Sequence, residues 1–520
     1  MKNRSLFVRG SETRSAPSQS SEAPLLQESS TPERATLGFQ LVCGILLALS
    51  TLGLSSCHSA SYYYYKFPEF TYAGRPVPPS KLAQRVMIGV TANGSSGSLQ
   101  IVDALRDIRS NIENTIPGFS ISGYSSGLPG TILNFPSELR GYIYSNSDGS
   151  LTNINYSTEA SAGSVGTFQS GSSAVAVPPT FARYYGAEEA AGVLEVIDNL
   201  TGGSYGLNIP NVFKVVVNKG DTVALAMVRN SSVLYRVFKL SQNQYATAQL
   251  AIQATGSVDC QPTLLPVYCA VAVPGTYDQP SGVYFSLDGT TAYVLNCGPE
   301  CGGKTASVTL LQQGPLNNNV IPTSPVQPNP MIANVPVPGG VTAALSDGTT
   351  LYLAGQQLQP DGLFAGFLST MNQATNTITG KYSISDGSHS KMLFADNNTL
   401  WIGSQYCATG ERAKLGQNYN CLTRVVLGGA TLTPQVLPNV TPGSATAVVP
   451  YPNQNNNQYY YGSLTGICWV QNYNKVYTAY GGQVHIFKTA DGSEIDNQFV
   501  TVQGTALDVA YMDAATDDAN

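Results

Sequence analysis

Residues 283–296, Val-Tyr-Phe-Ser-Leu-Asp-Gly-Thr-Thr-Ala-Tyr-Val-Leu-Asn, admit few folds. Apolar and aromatic residues alternate up to Leu287, Asp288-Gly289 supplies a two-residue turn favouring positive φ, and Ala292-Tyr293-Val294 opens a second strand. The stretch reads as a β-hairpin, and looser copies recur along the chain. Residues 341–353 nearly repeat it, with Asp347-Gly348 at the turn and Leu351-Tyr352-Leu353 beyond. Residues 213–238 give three strands in succession around a Lys219-Gly220-Asp221 turn. From Arg85 onward about eight such units follow one another, each an apolar strand, a turn, two more strands and a weaker fourth before a Pro/Gly break.

The two ends of this array are complementary. Residues 506–512, Ala-Leu-Asp-Val-Ala-Tyr-Met, read as a first strand with no second behind it, whereas the unit beginning at Val86 lacks a first strand. Pairing the one with the other closes a ring and hides the sheet edges that invite aggregation. The expected fold is therefore all-β: a single β-propeller of about eight, alternatively seven, four-stranded blades, with the C-terminal strand completing the first. The count turns on the weak second and third units.

Composition agrees. Charged residues make up only 11% of the 520, against 51 Gly and 31 Pro, which suits short strands joined by tight turns rather than long amphipathic helices. The formal net charge is −6 and no Lys/Arg stripe is present, so nucleic acid is not an expected partner.

Residues 1–36 are polar and too poor in apolar groups to fold. An almost uncharged apolar run, 37–54, follows and reads as an export segment. Leu54-Ser55-Ser56-Cys57 resembles the bacterial lipoprotein signal, in which an aliphatic and two small residues precede a cysteine that becomes the lipidated first residue. The resemblance implies a membrane anchor at Cys57. An ordinary cleavable signal and a retained helix are the alternatives, since about 18 to 20 apolar residues also span a bilayer. Residue 58 is His rather than Asp, which in that family points to the outer membrane. The expected domains are thus 1–57 leader and signal, 58–80 tether, 81–513 propeller and 514–520 disordered tail.

Cysteine usage fits an oxidising compartment. Cys260 with Cys269, Cys297 with Cys301, and Cys407 with Cys421 are close pairs near loops, most simply disulfides. Cys468 reads as a small buried strand residue. No metal site is expected: Cys297 and Cys301 have no second Cys pair or His nearby, and the histidines His58, His389 and His485 are scattered. No cofactor motif appears either.

Ser286-Leu287-Asp288-Gly289 leading to Tyr293-Val294-Leu295-Asn296, with Asp347-Gly348 and Leu351-Tyr352-Leu353 as a second match, resembles the YVTN repeat of bacterial surface-layer and lactonase-like propellers. That motif makes a turn and packs blades; it implies a fold, not an activity. His389, at the start of a strand expected to face the channel, is the one weak candidate for a general base. Arg183 with Glu188, Glu189, Glu195 and Asp198 are candidates for a cationic or sugar site. Glu411, Arg412 and Lys414, between the last cysteine pair, and Tyr459, Tyr460 and Tyr461, after an Asn/Gln-rich run, are candidates for recognition loops. The expected function is an envelope-anchored scaffold that binds a protein or glycan and is not an enzyme; the alternative is a lactonase-like hydrolase using the central channel.

Overall fold

The computed structural model describes residues 72, 74–109, 118–168, 171–253, 258–324, 327–360, 362–407, 420–429, 431–438, 461–495 and 500–517, all within the unit Phe70–Asn520. Eight antiparallel sheets follow one another as blades. The chain is an all-β, eight-bladed propeller. The innermost strands of neighbouring blades touch around a central channel. From blade 2 onward they are Pro129–Phe135, Ala174–Ala176, Val212–Val217, Pro280–Phe285, Gly340–Ser346, Ser388–Ala395 and Leu464–Val470.

Blade 1 is built from both ends of the fold. Thr505–Tyr511 pairs with Arg85–Thr91, which pairs with Gly97–Asp103, so the C-terminal strand is the innermost one and closes the ring. Arg85 stitches the seam: its guanidinium donates to Asp513 at 2.7 and 3.0 Å, to Glu159 of blade 2 at 2.9 Å, and to the carbonyl of Tyr156 at 2.7 Å. Arg75, in the segment expected to be a tether, adds a further bond to Asp513 at 2.5 Å. Past the last strand, where a disordered tail was expected, Ala514 is buried and Asp517 accepts from Ser137.

The core lies between blades, because each sheet is apolar on both faces. Met87, Ile101, Ile132, Ile143 and Ile154 fill the gap between blades 1 and 2; Leu194 and Val196 meet Val215 and Ala226 between blades 3 and 4. Trp401, fully buried, faces Phe487 across the gap between blades 7 and 8. Each such aliphatic or aromatic side chain contributes about 2 kcal/mol by leaving water.

Strand number departs from a uniform four. Among the described residues five blades have four strands, blades 1 and 8 have three, and blade 4 has five, because the helix Gln242–Gln253 and the strand Val258–Cys260 are inserted after its third. In blade 3 Arg183–Glu188 is the second strand; the first is the three-residue Ala174–Ala176, too short to show a period. The Asp288-Gly289 turn is also wider than two residues. Ser286 donates its N–H to Thr291, Gly289 donates to Ser286, and of the turn only Gly289 has positive φ, at 71°. The Asp288 carboxylate explains this, since it accepts from the Thr290 N–H at 3.0 Å and from the Ser286 hydroxyl at 2.6 Å, holding the tip open.

Candidate functional site

At the end of the channel where the innermost strands begin, a cavity of about 620 Å³ opens between blades 3 and 7. A regular strand turns alternate side chains toward its two neighbouring blades and offers the channel little but backbone. Here a recurrent irregularity changes that. Seven of the eight innermost strands carry a β-bulge near their start, with Leu507, Gly130, Phe213, Ser281, Thr342, Ser390 and Thr465 as the residues left out of register. A bulge bends its strand and re-aims a side chain. Four of these residues, Phe213, Ser281, Thr342 and Ser390, line the cavity.

The bulge hydroxyls also stitch the ring. Ser281 donates to the carbonyl of Val341 in the next blade at 2.5 Å, and Thr342 donates to that of His389 in the next again at 2.8 Å. With the proton committed to the protein, each oxygen is left with lone pairs. Asn230, Gln279 and Gln405 add amides to the wall, and Ser173 and Ser388 further hydroxyls. The rim cation Arg229 lies over the Phe213 ring, 4.4 Å from its centroid, and is paired with Glu189.

His389 stands in this wall but is only 1% exposed. Its Nε2 lies 2.8 Å from the Ser385 carbonyl, which assigns the proton to that nitrogen, and its Nδ1 is buried without a partner. Burial lowers its pKa to about 4, a shift the Ser385 carbonyl opposes only in part. A base that weak at neutral pH is poorly matched to proton abstraction. Lys391, two residues on, reaches Asp508 of blade 1 at 3.4 Å. Burial raises the Asp508 pKa, while Lys391 and the N–H groups of Ile132 and Val509 pull it back. Gly466 is required beside it, since a Cβ there would stand 2.4 Å from an Asp508 oxygen.

The other residues singled out in the sequence go elsewhere. Arg183 pairs with Asp221 at 2.7 Å, Asp198 with Lys239 at 2.8 Å and with Tyr268 at 2.6 Å, and Glu189 with Arg229; these ties join blades 3 and 4 and do not converge on one site. All three cysteine pairs are disulfides, and Cys468 is free and buried, its thiol pKa driven up by burial. Cys57, Glu411, Arg412, Lys414, Tyr459 and Tyr460 lie outside the described residues. Tyr461, expected on a displayed loop, is buried: it stacks on His485 at 4.1 Å and donates to Glu494 at 2.6 Å. Asn420, just before Cys421, donates to the Pro438 carbonyl at 2.9 Å and accepts from the Tyr461 N–H at 3.3 Å. Asn420 thereby ties together residues that flank 408–419 and 439–460.

No family model matches the chain, and no curated protein does. Solved structures do. The dihydro-heme d1 dehydrogenase NirN, in complex with DHE, is 11% identical with a TM-score of 0.50, over 86% of this chain and 83% of that one. Hydrazine synthase of Kuenenia stuttgartiensis is 13% identical with a TM-score of 0.43, over 72% and 99%. The propeller domain of Myceliophteria thermophila Swd1 is 11% identical with a TM-score of 0.40, over 71% and 96%. At these identities the likeness is one of fold.

Proposed function

We propose that the protein is an outer-membrane lipoprotein whose propeller binds a protein or glycan ligand at the channel mouth. The observation that carries the binding reading is the set of bulges that present Phe213, Ser281, Thr342 and Ser390 to one cavity. Polar groups converging on a concavity beside an aromatic ring are what a specific site for a hydroxylated ligand requires. The export segment, the lipoprotein-like Leu54-Ser55-Ser56-Cys57 and three disulfides support the envelope location. Glycan is favoured over protein because hydroxyls and amides are interspersed along the wall with the apolar groups Phe213, Val228 and Pro280.

The full-length protein, purified in mild detergent and screened against immobilised glycans, is expected to retain a subset. Ser390→Trp, which fills the mouth, is expected to abolish retention without lowering the melting temperature. Retention unchanged in that variant places the ligand elsewhere, and turnover of a lactone that disappears in His389→Ala replaces the binding reading with the hydrolase. For the anchor, mass spectrometry of the mature N-terminal peptide is expected to find acyl chains on Cys57; an unmodified Cys57 there excludes lipidation.

A further inference from the structure

We infer that the ligand of the channel mouth is an acidic saccharide whose carboxylate seats on the ammonium of Lys214. This rests on the binding reading above and narrows it. Among the described residues four lysines are half-buried. Lys239 pairs with Asp198, Lys391 with Asp508 and Lys475 with Asp107. Lys214 is the exception, for its Nζ reaches only the neutral carbonyl of Ser281, at 3.1 Å.

An ammonium half withdrawn from water without a counter-charge is costly, and burial correspondingly lowers the Lys214 pKa. The described surroundings do not supply the missing charge. Among the described residues no Asp or Glu lines the cavity, although the chain as a whole is acidic, and Arg229 at the rim already holds Glu189. His389 is neutral at physiological pH and adds none. Space is kept for the ammonium by Gly282, where a Cβ would stand 3.3 Å from Nζ and 3.4 Å from the Thr342 carbonyl.

The rest of the wall selects the remainder of the ligand. Ser281 and Thr342 have given their protons to backbone carbonyls, so their oxygens accept from hydroxyl groups, and Phe213, its ring covered by Arg229, adds apolar wall beside them. One anionic group among several hydroxyl donors describes a uronic-acid sugar. The cavity, at about 620 Å³, falls within the span of small-molecule sites, about 300 to 1,000 Å³.

Calorimetry on the full-length protein with trigalacturonic acid, its neutral methyl ester and potassium sulfate tests this. The acid is expected to bind about tenfold or more tightly than the ester, and more weakly as salt is raised. Lys214→Met is expected to lose that preference while melting no lower than the parent, and Lys214→Arg to keep it. Equal binding of acid and ester, unaffected by Lys214→Met, overturns the acidic ligand and leaves the glycan reading standing. Sulfate binding as tightly as the acid reduces the site to a bare anion site and overturns the saccharide. Failure of both sugars overturns this inference together with glycan binding at the mouth.

Discussion

His389 shows what burial does to a histidine that sequence position alone marks as a candidate base. The strand start brings it to the channel wall, yet the ring is packed inward, and desolvation holds its pKa at about 4 against an ordinary 6.5. In the unfolded chain the imidazole takes a proton near pH 6.5, whereas in the folded chain it resists until about pH 4. Between those values the unfolded state binds more protons, so stability falls as pH is lowered. The contribution is intact above pH 6.5 and is lost, by roughly 3 kcal/mol, by the time pH 4 is reached. His389→Gln, which keeps a donor for the Ser385 carbonyl, removes that contribution. Urea titrations of both proteins at pH 7 and pH 4.5 are expected to show the parent losing more stability than the variant. Equal losses would mean that the imidazole titrates normally and is reached by solvent, which would reopen its candidacy as a base.

At the scale of the strand, what the sequence shows and what it hides divide along one line. The Asp288-Gly289 and Asp347-Gly348 turns, the apolar strands and the surplus strand at 505–511 all express themselves as residue type at a fixed period, and each lies where that pattern puts it. A bulge has no such signature. It is one extra residue, and Phe213, Ser281, Thr342 and Ser390 look like ordinary members of alternating strands until their partners are known. Lys214, inside Phe-Lys-Val-Val-Val, reads as the solvated face of a strand; only the closed ring places it in a channel, reaching toward blade 5. The acidic residues between 188 and 198 mislead in the opposite way. Their density suggests a site, but Glu189 and Asp198 are each matched by a cation. The helix inserted in blade 4 escapes notice because only Ala248 and Ile252 are buried on it, too few for a helical period.

A ring differs from a stack of repeats in that one seam decides whether it exists. Here the seam is blade 1, where Thr505–Tyr511 supplies the innermost strand and Arg85 holds the chain end to blade 2 through Asp513 and Glu159. The aromatic Tyr511 and the aliphatic Val509 from that strand pack with Tyr477 and Ile486 of blade 8, so closure also completes the neighbouring core. Removing one partner of a buried ion pair strands the other, at a cost of about 3 to 5 kcal/mol. Arg85→Met strands the Glu159 carboxylate, about 5% exposed, without a cation and leaves Asp513 to Arg75 alone. A loss in that range, read as a shift in the urea midpoint with an unchanged slope, is therefore expected. Truncation after residue 504 goes further, since it bares the edge of Arg85–Thr91 and the inner faces of blades 2 and 8 together. That chain is expected to lose its cooperative transition and to aggregate. A truncated chain that stays monomeric and melts in one step would show that the ring is held by its blade interfaces alone, and that the C-terminal strand is an accessory to closure.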